Sequence, residues 1–76
     1  MNKTRREQLT DIYTKLDALK SDLSTLQEEE QDYYDNMPES LQSSEKGELA
    51  EAASCNLEEA VYDIEEALSK IEEAQT

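Results

Sequence analysis

Apolar side chains recur through the first half of the chain at a fixed interval. Leu9, Ile12, Leu16, Leu19, Leu23 and Leu26 are separated by steps of 3, 4, 3, 4 and 3. An α-helix turns once in about 3.6 residues, so this spacing sets all six on one stripe. Lys, Asp, Thr, Ser and Gln fill most of the positions between them, and these are at home in water. Carried further, the repeat reaches Glu30, Tyr33 and Met37. Glu30 puts a carboxylate on the stripe and weakens packing there. Thr4 followed three residues later by Glu7 has the form of a capping box, in which side chains satisfy the unpaired N–H groups of a first turn. The pattern predicts a helix over about residues 4–36.

Pro38 ends that helix, because it has no N–H to donate and biases Met37 away from helical dihedrals. The stretch NMPESLQSSEKG around it holds the only Pro, the only Gly and three serines. It reads as a connection over about residues 37–44, in which Pro38 can open a short helical turn and Ser43 or Ser44 can cap the next helix. Residues 56–76 then repeat themselves as NLEEAVY, DIEEALS and KIEEAQT, with a fainter unit, ELAEAASC, ahead of them. Leu57, Ile64 and Ile71 fall every seven residues, as do Ala53, Ala60, Ala67 and Ala74, while Val61 and Leu68 complete the stripe. This predicts a second amphipathic helix over about residues 45–74. Its alanine column lets a partner backbone come close. Gly47 near its start costs about 1 kcal/mol relative to Ala, so fraying is expected before Glu48.

Two helices of about 45 Å with so short a link must run antiparallel. The expected fold is all-α, a single domain over residues 1–76 in the form of a coiled-coil-like two-helix hairpin. The core or dimer seam would be formed by Leu9, Ile12, Leu16, Leu19, Leu23 and Leu26 with Leu57, Val61, Ile64, Leu68 and Ile71. Two helices alone leave an apolar side uncovered, so the expected assembly is a homodimer closing a four-helix bundle. Charge placement agrees with a hairpin. Residues 1–20 carry net +2 and residues 21–76 net -15, so the antiparallel arrangement lays the basic start beside Glu65, Glu66, Glu72 and Glu73.

Composition narrows the possible chemistry. The chain has 76 residues with 7 basic and 20 acidic side chains, no His and one Cys, for a net charge of -13. A lone thiol closes no internal disulfide and, without His, builds no zinc site of the usual kind. Cys55 also lacks a base to activate it, which argues against nucleophilic catalysis. The carboxylate pairs sit on an outward face, where no cleft drives two pKa values apart. Di-iron bundles require Glu-x-x-His, and a calcium loop requires acids spaced around a central Gly; neither pattern occurs. No enzyme activity, cofactor or metal is therefore expected. A hydrophobic fraction of 36% without a long apolar run gives no membrane span, and the polar start MNKTRREQ has no secretory stretch. Such acidity disfavours direct contact with nucleic acid or anionic lipid and favours a protein with a basic surface.

Two features are candidates for contacting that protein. The first is the hinge end, EEEQDYYDNMP, where two adjacent tyrosines must face different directions. Tyr33 fits the heptad as core or as the lid of the seam, which leaves Tyr34, beside Asp35, either as an outward anchor or packed on the hinge residues. The second is the ladder of Glu58, Glu59, Glu65, Glu66, Glu72 and Glu73, whose pairs recur about every 10.5 Å along a helix. Such a ladder can imitate a nucleic-acid backbone and occupy the basic groove of a host nuclease, or it can serve only to keep the helix solvated. The junction YYDNMPESLQSSEKGELAEAA with its following LEEA units resembles small acidic helical-hairpin proteins of phages and prophages of Gram-positive bacteria. That resemblance implies a phage product acting in the host bacterial cytosol, where small acidic proteins are often inhibitors or adaptors. It implies no activity for any particular residue. The expected function is a non-enzymatic protein-binding module, with a nucleic-acid-mimic inhibitor as the alternative.

Overall fold

The computed structural model describes residues 1–75; Thr76, which ends the heptad KIEEAQT, lies outside the described residues. The chain forms α1 (Lys3–Asp35), α2 (Glu39–Gln42) and α3 (Glu45–Ala74). The two long helices pack side by side and antiparallel. Thr10 meets Gln75, Lys20 meets Glu65 and Gln31 meets Ser54, so partner numbers fall along α3 as they rise along α1. The result is a rod with extents of 58 × 15 × 13 Å.

α1 begins two residues earlier than a Thr4 cap would allow. Asn2 is the N-cap, and its side-chain oxygen accepts from the Arg5 N–H at 2.8 Å, which leaves Thr4 inside the first turn. Asn ranks above Thr as a cap, so the competition between the two goes to Asn2. At the other end Pro38 stops the ladder. The Asn36 and Met37 N–H groups fold back onto Asp32 and Tyr34, and Gln42 Nε2 donates to the Tyr34 carbonyl at 3.1 Å. Pro38 then opens the single turn of α2, with its carbonyl accepting from Leu41 and Gln42. Ser44 caps α3 by accepting from the Gly47 N–H, while its hydroxyl donates to the Leu41 carbonyl.

Gly47 is buried in the first turn of α3, and the helix begins ahead of it at Glu45, in the segment expected to fray. A Cβ at this position would overlap the carbonyl oxygens of Gln42 and Leu41. The glycine thus lets the backbone of α2 lie directly against α3, which fixes where the second helix starts back along the first.

The apolar stripe of α1 divides in two. Leu9, Leu16 and Leu23 are half-buried against α3, in company with Tyr13, Lys20, Gln27 and Tyr34. Ile12, Leu19 and Leu26 instead remain 50%, 60% and 55% exposed, which places them off the contact line between the two helices of the single hairpin. The seam is rotated by less than half a turn toward the polar flank because polar pairs hold it there: Ser54 with Gln27 and Gln31, and Lys20 with Glu65. On α3 the inward residues are Gly47, Ala50, Ser54, Leu57, Val61, Ile64, Leu68 and Ile71, an unbroken heptad alternation. Among the described residues only Ala50 and Leu68 are fully buried apolar side chains, each 5% exposed. That is a thin core.

Replacing Gly47 by Ala tests the hinge. In an open helix the change would gain about 1 kcal/mol from propensity alone. Here the added methyl meets backbone, and overpacking of this kind costs roughly 1–3 kcal/mol. Gly47→Ala is expected to lower the melting temperature and the urea midpoint; a rise in either would show that α2 does not press on α3.

Candidate functional site

The hairpin has two unlike sides, and the heptads decide which residues go to each. On both helices the column three residues past a seam position is rotated off the contact line in the same rotational sense. Reversing a helix also reverses its facing, so in an antiparallel pair the two off-line columns come to the same side of the rod. On α1 this column is Ile12, Leu19, Leu26 and Tyr33; on α3 it is Lys46, Ala53, Ala60 and Ala67. The Lys46 ammonium lies 5.9 Å from the centre of the Tyr33 ring, which ties the two columns together at the hinge end. Steps of seven from that pair place Leu26 opposite Ala53, Leu19 opposite Ala60 and Ile12 opposite Ala67. A large column and a small column therefore run in parallel along one apolar face.

At the hinge this face continues into a cavity of about 350 Å³ lined by Tyr33, Asn36, Met37, Pro38, Leu41 and Lys46. Tyr33 is 47% exposed there, and Leu41 and Leu49 are exposed as well. Among the described residues nothing covers this surface.

Side-chain links between the helices gather on the opposite side. Ser54, 1% exposed, donates to Gln31 Oε1 at 2.8 Å and accepts from Gln27 Nε2 at 3.1 Å, so its buried hydroxyl is fully satisfied. Lys20 Nζ stands 3.8 Å from Glu65 and 3.7 Å from Asp17. Thr10 Oγ1 donates to Gln75 at 3.2 Å. Tyr34 belongs to this group. Partial burial raises its pKa above the usual tyrosine value, and the Glu51 carboxylate, hydrogen-bonded to it, and the charge of Asp35 add to the shift.

Tyr33, expected as core or lid of the seam, faces outward, and Tyr34 is half-buried, not the outward anchor. The cause is the rotated seam, which takes in the column of Tyr13, Lys20, Gln27 and Tyr34. Asp35 is exposed and accepts from Gln31 Nε2 at 3.0 Å. Glu58, Glu59, Glu65, Glu66, Glu72 and Glu73 are all exposed on α3. Tyr34 sits at the hinge and Glu72 and Glu73 at the free end, so the structure does not gather the candidates into one site. Ser54, Gln27 and Gln31 were missed by apolar patterning. Ser54 nonetheless occupies the same seven-residue column as Val61 and Leu68, and this periodicity would have found it.

Cys55 is exposed. Among the described residues no cluster of three or more His, Cys, Asp or Glu is placed to hold a metal, and no helix is long and apolar enough to cross a membrane. No protein family, curated protein or solved structure matches the chain.

Tyr34 gives this geometry a spectroscopic reading. Its folded-state proton is held more tightly than in the unfolded chain, so stability should fall as pH rises past the ordinary tyrosine value of 10.0. Ultraviolet titration should show a phase ionising above that value. Tyr34→Phe should remove that late phase, and its persistence would place the perturbed phenol elsewhere.

Proposed function

We propose that the chain is a non-enzymatic protein-binding module, encoded by a phage or prophage, that acts as a homodimeric four-helix bundle on a bacterial protein in the host cytosol. The observation that carries this reading is the uncovered apolar face: Ile12, Leu19, Leu26 and Tyr33 are each about half exposed or more, although they continue the same heptad that builds the hairpin. A thin core and a regular apolar surface describe a unit whose packing is completed by another chain. With no His in the chain, Cys55 has no imidazole to act as its base, which supports that reading. The outer surface of α3 would meet the partner. Its exposed Glu58, Glu59, Glu66 and Glu72 suit a basic protein surface, which they would attract at long range.

A second reading is favoured by the regularity of that same surface. Glutamate pairs recurring about every 10.5 Å along α3 present negative charge in a line, as a nucleic-acid strand does. In this reading the hairpin occupies the basic groove of a host DNA- or RNA-binding enzyme, such as a defence nuclease, and inhibits it.

Capture of partners from bacterial lysate, with and without added nuclease, separates the two. Loss of capture between about 0.1 M and 0.5 M salt, with basic nucleic-acid enzymes among the retained proteins, is the result expected of mimicry. Salt-resistant capture of a single unrelated protein is expected of a packed helical interface. Reversing Glu65, Glu66, Glu72 and Glu73 to Lys should abolish the first behaviour and slow, without abolishing, the second. Capture of nothing under any condition would overturn both.

A further inference from the structure

We infer that the apolar face is covered by a second copy turned end for end, so that the two hinges lie at opposite ends of the four-helix bundle. This rests on the homodimer proposed above and adds which face the second copy covers and how that copy is turned.

Charge on the face selects the occupant. The two off-line columns and their outer flanks hold Arg5, Lys15, Lys46 and Lys70 against Asp22, Glu29 and Asp63. Four of the 7 cations of the chain are therefore gathered here with only three of the 20 acids. A surface shaped for a basic partner would share the acidity of the rest of the molecule. A nearly neutral one can meet its own copy without a charge penalty.

The dimensions agree. A strip 15 Å wide along most of the 58 Å rod offers about 700 Å² per copy, close to the roughly 800 Å² per partner of a standard stable interface.

Charge along the rod selects the orientation. The hinge half, residues 21–59, carries 12 acids and one cation, for net -11. The free-end half, residues 1–20 with 60–76, carries 8 acids and six cations, for net -2. With both hinges at one end, two -11 halves would face each other across about 10 Å, within a Debye length at ordinary salt. Turning one copy end for end sets each -11 half against a -2 half and removes most of the repulsion. The midpoint of the large column falls between Leu19 and Leu26. Leu19 then packs on the partner's Leu26, Ile12 on the partner's Tyr33, and Lys15 comes beside the partner's Glu29.

Pulsed dipolar spectroscopy on the full chain tests the arrangement. A nitroxide is attached at Ser40→Cys, an exposed hinge position, with the exposed Cys55 replaced by Ser. About 17 residues separate Ser40 from the column midpoint, so the labels should lie roughly 50 Å apart. Adding Leu19→Glu should abolish that distance. A distance under about 30 Å would place the hinges together and overturn the orientation. Absence of any dipolar signal, with the chain monomeric, would overturn the second copy as occupant. Persistence of the distance in Leu19→Glu would overturn the face. A monomeric chain would also overturn the homodimer of the proposed function, whereas partner capture from lysate decides separately whether the protein-binding reading holds.

Discussion

A pair of helices can bury side chains only along one line of contact, and this chain has more apolar columns than that line can take. On α1 the column of Leu9, Leu16 and Leu23 goes to the seam, while the column of Ile12, Leu19 and Leu26 is left outside. The rest of the structure follows from this excess. The hairpin closes with a thin core, in which Ala50 and Leu68 are the fully buried apolar residues among those described. Burying half of a Leu or Ile side chain contributes on the order of 1 kcal/mol, so the uncovered column represents a stabilisation that a lone hairpin does not collect.

Polar chemistry decides which columns are taken. Ser54 has room for a small side chain facing α1, and its hydroxyl engages both Gln27 and Gln31. Lys20 is drawn to Glu65, and Tyr34 to Glu51. Each of these contacts is modest, and an exposed ion pair contributes between about 0 and 1 kcal/mol. Their combined effect is directional: they hold one flank of the contact together and turn the apolar flank outward. Gly47 sets the axial register by letting the carbonyls of Leu41 and Gln42 sit against α3. Register and rotation are thus determined near the hinge and by the polar flank, and not by the leucines alone.

Periodicity made the two helices and their antiparallel order legible, because steps of three and four have no other structural solution over so many turns. Pro38 and Ser44 marked the connection for equally local reasons. Rotation of the seam was not legible. Leu9 and Ile12 are equivalent in apolarity, and only the tertiary contacts of Gln27, Gln31 and Lys20 separate their columns. For the same reason Tyr33 turned outward and Tyr34 inward, and the glycine expected to fray became the residue that α2 rests on. Alanine spacing did announce a close approach, yet Ala53 and Ala60 line the flank of the apolar face where the seam itself uses Ala50 and Ser54. Acidic residues were located correctly as exposed, but their number hid the near neutrality of the one face that matters for packing.

If the exposed column is the surface on which the molecule completes its fold, folding and association are one equilibrium. Melting followed by circular dichroism over about a hundredfold range of protein concentration measures this directly. The account predicts a melting temperature that rises with concentration and, since both copies are acidic, rises further with added salt. A melting temperature independent of concentration would mean that the hairpin is stable alone, with Ile12, Leu19 and Leu26 in water, and would contradict it.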